Sequence, residues 1–289
     1  MKEIVVISGK GGTGKTSITA SFAYLGGKDV VVADCDVDAA DMHLLMKPDF
    51  SKSEDFYSGE KAFINQKKCT QCGKCKEICR FNAISIINEE YYVHQMECEG
   101  CGYCAQICSE NAISMKEQNV GKCYISNTRM KNEMVHAKLN IGAENSGKLV
   151  AKVKNEAKRI AEETNKKLVI VDGAPGIGCP VISSLSGADL VVLVTEPTIS
   201  GFHDLKRVYG LVEKFQIQAV CIINRADLNE TFSNKILEFL NKKNIILITT
   251  IPYDDSFTMA MTIGKTIVEY SSNIKKLLDK SWNQIKQIL

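Results

Sequence analysis

Residues 3–16 contain the signature that fixes the start of the fold, and they read Glu3-Ile4-Val5-Val6-Ile7-Ser8-Gly9-Lys10-Gly11-Gly12-Thr13-Gly14-Lys15-Thr16. Four consecutive β-branched residues are typical of a strand buried on both faces. The glycine-rich turn that follows fits the phosphate loop G-x4-G-K-[ST], in which backbone N–H groups meet phosphate at the start of a helix. A glycine turn without a ligand is the alternative, and the strand before it and the helix after it count against that alternative.

The phosphate loop predicts a role for each of its residues. Lys15 is expected to reach the β- and γ-phosphates of a nucleotide, and the Thr16 hydroxyl is expected to hold Mg²⁺. The predicted nucleotide contacts in this loop are Gly11, Gly12, Thr13, Gly14, Lys15, Thr16 and Ser17.

Further along the chain, buried-type strands alternate with helical stretches such as Leu149–Thr164. The predicted strands after the first are Asp29–Ala33, Lys167–Val171, Leu190–Thr195, Ala219–Ile223 and Ile245–Thr249. Strands separated by helices pair in parallel, so the pattern predicts an α/β fold with a doubly wound, mostly parallel sheet.

Two cysteine runs in the first half of the chain each read C-x2-C-x2-C-x3-C. They consist of Cys69, Cys72, Cys75 and Cys79, and of Cys98, Cys101, Cys104 and Cys108. This spacing describes a pair of [4Fe–4S] clusters, in which the fourth cysteine of each run ligates the other cluster. The expected ligand sets are therefore Cys69, Cys72, Cys75 and Cys108, and Cys98, Cys101, Cys104 and Cys79. Zinc is the alternative, but zinc sites usually use two CxxC pairs with a longer gap between them.

The cysteine runs lie in an internal repeat with a period of 29 residues, since residues 79–86 are echoed by residues 108–115. Each half predicts a short helix followed by a short strand, which suits a small ferredoxin-like α+β domain inserted into the P-loop NTPase fold. The expected boundaries are 63–119 for the insert and 1–62 with 120–289 for the ATPase domain. Residues 50–65, which lead into the insert, are polar and predicted to be rich in turns.

Composition narrows the class of protein. The net charge is +2 over 289 residues, so no basic field points to nucleic acid. The longest apolar runs are too short to span a bilayer, and the first strand starts too early to leave room for a signal peptide. Twelve cysteines without a secretion signal indicate a reducing, cytoplasmic location rather than a disulfide framework.

Lys10 adds to the minimal motif, giving the form K-G-G-x-G-K-T. This form resembles the deviant phosphate loop of the MinD/ParA/Mrp/nitrogenase-iron-protein class of ATPases. The whole chain, including residues 135–149, resembles MinD-superfamily P-loop ATPases with an inserted 2[4Fe–4S] ferredoxin domain. The resemblance implies Mg-ATP as ligand and a homodimer or a heterodimer with a paralogue, in which Lys10 reaches the partner's nucleotide. A solvated loop lysine is the alternative.

The same resemblance assigns roles to residues that follow other strands. It implies that Asp36 positions or activates the attacking water, that Asp34 lies near Mg²⁺, and that Asp172 is the Walker B aspartate. A solvated acidic turn is the alternative for Asp34 and Asp36. The resemblance also implies that the adenine side of the nucleotide is contacted by Asn224, Pro252 and Asp254.

Cys179 follows the Asp172 switch segment. By resemblance to the nitrogenase iron protein, Cys179 is a candidate ligand of a third cluster that bridges two subunits, with Cys123 as a weak candidate for a second ligand. The alternative for Cys179 is a small buried residue before a helix. Residues 273–289 form an amphipathic pattern, for which packing on the sheet is favoured over membrane targeting.

Together these observations predict a Mg-ATP-dependent dimeric ATPase with two [4Fe–4S] clusters per chain. Its nucleotide cycle would be coupled to electron transfer or to metal-cofactor assembly with a partner protein. Two alternatives stay open: an Mrp-type cluster carrier or scaffold, and a redox-sensing positioning ATPase of the MinD type.

Overall fold

The computed structural model of the protein describes residues 1–143 and 146–289. Glu144 and Asn145, within the stretch covered by the family resemblance, lie outside the described residues. The strands are β1 Lys2–Ile7, β2 Val30–Asp34, β3 Lys52–Ile64, β4 Ile84–Ile87, β5 Glu90–Val93, β6 Ile113–Asn127, β7 Glu133–Leu139, β8 Leu168–Asp172, β9 Leu190–Thr195, β10 Gln218–Asn224 and β11 Ile246–Ile251. The helices are α1 Lys15–Gly26, α2 Met42–Met46, α3 Lys74–Ile78, α4 Tyr103–Gln106, α5 Ser146–Glu163, α6 Cys179–Leu185, α7 Ile199–Lys214, α8 Glu230–Lys242, α9 Ser256–Thr262, α10 Ile267–Tyr270 and α11 Ser272–Ile288, with a 3₁₀ turn at Gly27–Asp29.

A large sheet organises most of the chain. Within the described residues, nine strands follow the order β11-β10-β9-β1-β8-β2-β7-β6-β3. The pairs from β11 to β7 are parallel. β1 lies inside this parallel part, and Ile4, Val5, Val6 and Ile7 are fully buried, as expected for a strand with helices on both faces. The predicted α/β P-loop fold with a mostly parallel sheet is therefore confirmed.

The parallel register brings the polar residues at the ends of several strands to one edge of the sheet. Asp34 at the end of β2 pairs with Asp172 at the end of β8, and Asp34 also pairs with His136 on β7. Asn224 ends β10. Because ligands of open α/β sheets bind outside the carboxyl ends of the strands, this edge positions the candidate nucleotide site.

The prediction of a turn-rich segment at residues 50–65 is wrong, because most of it forms the 13-residue strand β3. This strand neighbours β6, which is itself 15 residues long. The side chains of β3 are mostly exposed, so the segment lacks the apolar pattern by which a strand is recognised. Pairing with the neighbouring strand satisfies the backbone instead, and that partner is remote in sequence.

The C-terminal helix α11 packs its apolar face into the core of the ATPase unit. Leu278 and Ile285 are fully buried, and Trp282 is 2% exposed. The Trp282 ring stacks on Phe22 of α1 with the ring centroids 5.4 Å apart. The apolar stripe predicted from the sequence is thus used for packing. None of the helices in the described part of the chain is long and apolar enough to cross a membrane.

The chain divides into two compact units. One consists of Met1–Glu54, Lys122–Leu139 and Ser146–Leu289, and the other of Asp55–Gly121 with a short piece that begins at Asn140. Within the smaller unit, β4 and β5 form an antiparallel hairpin. Its turn residues Asn88 and Glu89 have φ values of 50° and 67°, as a tight two-residue hairpin turn requires.

Candidate functional site

The phosphate loop joins β1 to α1, and its geometry requires glycine at position 14. Gly14 has φ +89°, and a Cβ built there would lie 2.4 Å from Nδ2 of Asn224. Asn224 Nδ2 donates a hydrogen bond to the backbone oxygen of Thr13 at 2.9 Å. The end of β10 therefore supports the loop directly, and no side chain fits at Gly14 without displacing that support.

Lys15, Thr16 and Asp172 form a partly buried hydrogen-bonded network at the loop. The Lys15 ammonium lies 2.8 Å from Oδ1 of Asp172, and the Thr16 hydroxyl donates to Oδ2 of Asp172 at 2.7 Å. Thr19 donates to the same carboxylate at 2.9 Å. Burial opposes the charge on Lys15, but Asp172 and Asp36 outweigh it, so the pKa of Lys15 is raised. The network keeps Lys15 charged at the loop, as binding of phosphate requires.

Asp34 and Asp36 lie beside this network. Asp36 Oδ2 is 3.7 Å from Nζ of Lys15, and Asp34 Oδ1 accepts a hydrogen bond from the Asp36 backbone N–H at 3.2 Å. Burial, together with the charge of Asp172, raises the pKa of Asp34 well above its usual range. Burial also raises the pKa of Asp36, against the opposing effect of Lys15. The second Asp34 oxygen, Oδ2, is buried without a hydrogen-bond partner, which leaves an oxygen ligand available.

Lys10 is held by a glutamate of its own chain. Its Nζ lies 2.6 Å from Oε1 of Glu196 and 3.0 Å from Oγ of Ser200. Arg225 contacts the other Glu196 oxygen, Oε2, at 2.7 Å. Burial opposes ionisation of Glu196, but Lys10 and Arg225 prevail and lower its pKa. Sequence reasoning missed Glu196 and Arg225, although both directly follow strand ends at the edge where polar residues collect.

A cavity of about 410 Å³ opens beside the loop, within the size range of small-ligand sites. Its walls include the predicted residues Gly11, Gly12, Gly14, Lys15, Thr16, Ser17, Asp36, Asn224 and Asp254. Of the other predicted residues, Lys10, Thr13, Asp34, Asp172 and Pro252 are not part of these walls. The cavity is also lined by Arg225, Tyr253, Phe257 and Met261. Phe257 and Met261 come from the short helix α9, whose apolar residues carry no motif.

The segment after Asp172 returns to the phosphate loop. The Gly176 backbone N–H donates to the oxygen of Ser8 at 3.1 Å, and Pro175 lies on the cavity wall. Cys179 is exposed at the first residue of α6, whereas Cys123 is buried in β6. Among the residues that the structure describes, no group of three or more His, Cys, Asp or Glu side chains is arranged to hold a metal ion.

The eight cysteines of the two runs surround two small cavities in the smaller unit. Cys69, Cys72, Cys75 and Cys108 line one, which we call the first cavity. Cys79, Cys98, Cys101 and Cys104 line the other, the second cavity. The grouping coincides with the exchange of fourth cysteines expected from the spacing, while binding of iron by these residues stays a prediction. All eight are free thiols.

The internal repeat extends to the backbone of the two cysteine loops. Positive φ values recur at equivalent positions: Gly73 and Gly102 at 79° and 74°, and Asn82 and Asn111 at 53° and 48°. The Ala112 N–H donates to Sγ of Cys108 at 3.3 Å. Burial and the neighbouring Cys98 raise the pKa of Cys104 to about 11. Thiols packed in this way need a cationic partner before they ionise at neutral pH.

Comparison with known proteins identifies the family. The sequence profile described as CobQ/CobB/MinD/ParA nucleotide binding domain matches residues 4–267, so the chain belongs to this family. Members of its MinD/ParA branch are P-loop ATPases. The uncharacterized protein MJ0578 of Methanocaldococcus jannaschii is 31% identical over 290 residues, covering 99% of this chain and 97% of that protein. MJ0579 of the same organism is 28% identical, covering 94% and 93%.

Solved structures show the same fold at low sequence identity. The cell division ATPase MinD of Pyrococcus furiosus is 17% identical with a TM-score of 0.58, covering 100% of this chain and 99% of that one. MinD of Pyrococcus horikoshii, solved with Mg-ADP, is 18% identical with a TM-score of 0.59, covering 99% and 96%. At this identity the likeness supports the fold alone.

Proposed function

We propose that this protein is a Mg-ATP-dependent dimeric ATPase whose inserted ferredoxin-like domain, residues 63–119, holds two [4Fe–4S] clusters. ATP binding and hydrolysis would be coupled to electron transfer, or to assembly of a metal cofactor, with a partner protein. The observation that carries the proposal is the pair of four-cysteine cavities in a chain that also has a complete phosphate loop. Neither feature alone implies a coupled function.

The proposed nucleotide site uses residues that already lie together. Lys15 would bind the β- and γ-phosphates, and Thr16 with the unpartnered Asp34 oxygen would hold Mg²⁺. Asp36 would orient the attacking water, because its carboxylate lies beside Lys15 and is partly exposed. Asn224, Pro252 and Asp254 would contact the adenine side. Lys10 would have to leave Glu196 before it could reach the nucleotide of a second subunit.

The cysteine cavities suit a polynuclear group. Four thiols of each set surround a cavity. A [4Fe–4S] cluster has an iron at each of four corners and takes one thiolate at each. When bound, two such clusters would supply one-electron redox chemistry. The chain contributes the ligands, the Ala112 N–H directed at Cys108, and the apolar walls that limit water.

A third cluster at Cys179 remains part of the proposal. The thiol is exposed, so it is accessible to a group shared with a second subunit. The burial of Cys123 removes the support for that residue as a second ligand.

A cluster carrier is the second candidate function. One cysteine in each set, Cys72 and Cys101, is exposed. Exposed thiolates can exchange ligands with an acceptor protein, which a carrier requires and a permanent redox centre does not. Release of iron–sulfur clusters to an apo-acceptor within minutes would favour this function, and retention would favour the redox function. A redox-sensing positioning ATPase is the remaining alternative, and membership of the family that includes MinD and ParA supports it.

The test is electron paramagnetic resonance of anaerobically purified, dithionite-reduced protein with and without Mg-ATP. We expect signals of two interacting reduced clusters that change when Mg-ATP is added. The Lys15→Ala variant is the matched control, since it retains the cysteines and should lose the nucleotide response. Signals that ignore nucleotide in the unmodified protein would contradict the coupling. Zinc in place of iron would refute the redox proposal altogether.

A further inference from the structure

The internal repeat allows the two cysteine loops to be compared position by position, and their surface charges differ. Lys68 before the first run corresponds to Glu97 before the second, 29 residues later. Both side chains are exposed. The backbones of the two loops have the same positive-φ pattern, so Lys68 and Glu97 occupy matched places in the fold. The difference between the loops is therefore one of charge rather than of shape.

The charge difference extends along the whole of both loops. Residues 67–78 contain four exposed lysines and one exposed glutamate, whereas the matched residues 96–107 contain two exposed glutamates and no basic residue. The residues concerned are Lys67, Lys68, Lys74, Lys76 and Glu77 in the first loop, and Glu97 and Glu99 in the second.

The walls of the cavities carry the same contrast. Lys74 lies on the wall of the first cavity and Glu99 on the wall of the second. Exchange of the fourth cysteines brings one opposing charge to each site. Glu110 lies on the wall of the first cavity, and Arg80 adjoins Cys79 of the second. These two charges reduce the contrast without reversing it. The four lysines of the first loop outnumber Glu77 and Glu110, and the two glutamates of the second loop outnumber Arg80.

We infer that these rims hold the two cluster sites at different reduction potentials, with the lysine-rimmed first cavity at the higher potential. This inference rests on the proposed function. Reduction adds one negative charge to a site, and nearby positive charge stabilises the reduced state while negative charge opposes it. A single electron delivered to the domain by dithionite therefore comes to rest at the Cys69–Cys75 side.

The experiment is a redox titration of the full-length protein followed by electron paramagnetic resonance. The unmodified protein should be reduced in two steps, with an isolated-spin signal before the signal of two interacting spins. Lys68→Glu should lower only the higher midpoint potential, and Glu97→Lys should raise only the lower one. At a fixed applied potential, each substitution should change the ratio of reduced to oxidised clusters at its site by about tenfold. For a one-electron couple this corresponds to a shift of about 59 mV in the midpoint potential.

The double variant Lys68→Glu with Glu97→Lys keeps the composition and the net charge of the protein. It should bring the two potentials together. Lys276→Glu, on the exposed face of α11 in the other compact unit, changes the net charge as much as Lys68→Glu does and should leave both potentials unchanged. Because all the charges concerned are exposed, added salt should also narrow the gap in the unmodified protein.

Three results would overturn the inference while leaving the proposed function intact: equal potentials in the unmodified protein, a Lys68→Glu effect on the lower potential, or a gap that salt does not change. Iron and sulfide analysis separates this failure from failure of the proposal itself. Protein that lacks the iron and sulfide of two clusters after anaerobic purification would refute both. Spin quantification on each variant checks that both clusters are retained.

Discussion

The contact between Lys10 and Glu196 predicts that the isolated subunit restrains the dimerisation that we propose for it. Lys10 is bound at 2.6 Å to Glu196, whose side chain is only 7% exposed and is also held by Arg225. A hydrogen bond to a charged group contributes about 1.5–3 kcal/mol. If Lys10 must leave this contact to reach a second subunit, the dimer-competent state is disfavoured by about 10–100-fold, since 1.4 kcal/mol corresponds to about a factor of ten.

Glu196→Gln removes the negative charge and nearly preserves the shape of the side chain. We expect the ATP-dependent dimer to form at about tenfold lower protein concentration, and ATPase activity to rise with it at low concentration. Analytical ultracentrifugation with a non-hydrolysable ATP analogue measures the first effect, and phosphate release measured over a range of protein concentrations gives the second. Ser200→Ala is the matched control, because it removes only the weaker 3.0 Å contact of Lys10.

Two outcomes would refute this reasoning. One is a dimerisation constant in Glu196→Gln that equals that of the unmodified protein. The other is unchanged dimerisation and hydrolysis in Lys10→Ala, which would show that Lys10 has no role in the partner's site. Denaturant unfolding of each variant separates a change in dimerisation from a loss of stability.

Three further predictions concern the phosphate loop, the sheet edge and the core. Gly14→Ala should abolish ATP binding measured by calorimetry, because φ is +89° there and the new Cβ would lie 2.4 Å from Asn224, whereas Gly210→Ala on α7, where nothing lies within 4 Å of the new Cβ, should bind normally. Burial lowers the pKa of His136 to about 4, so the unfolded state takes up its proton first as pH falls from 6.5. Stability should therefore fall by up to about 3 kcal/mol between pH 6.5 and 4, and denaturant titrations should show a flatter pH profile in His136→Gln. Trp282→Ala should destabilise the protein by about 3–5 kcal/mol through loss of buried contacts, as measured by circular dichroism during urea unfolding, and an effect below about 1 kcal/mol would contradict the observed packing of α11.

Local signals account for the parts of the protein that sequence reasoning predicted. The strand β1 and the strand ending at Asp172 are each a short run of mostly apolar residues. The loop to Thr16 is marked by glycines at fixed short spacing. The cysteine spacing likewise suggested how the eight thiols would be divided, and the structure places them around two cavities in the same way. Such patterns can be recognised in a sequence because they depend only on residues that are close together along the chain.

Tertiary structure alone decided the contacts between distant segments. The Lys10–Glu196 ion pair joins residues 186 positions apart, and Asn224 supports Thr13 across 211 positions. The polar segment at residues 50–65 became a strand because its neighbour β6 supplies backbone partners. The sequence by itself determined which chemical groups the protein has and which local turns present them. Which of them meet was decided by the register of the parallel sheet, because that register brings strand ends remote in sequence to one edge.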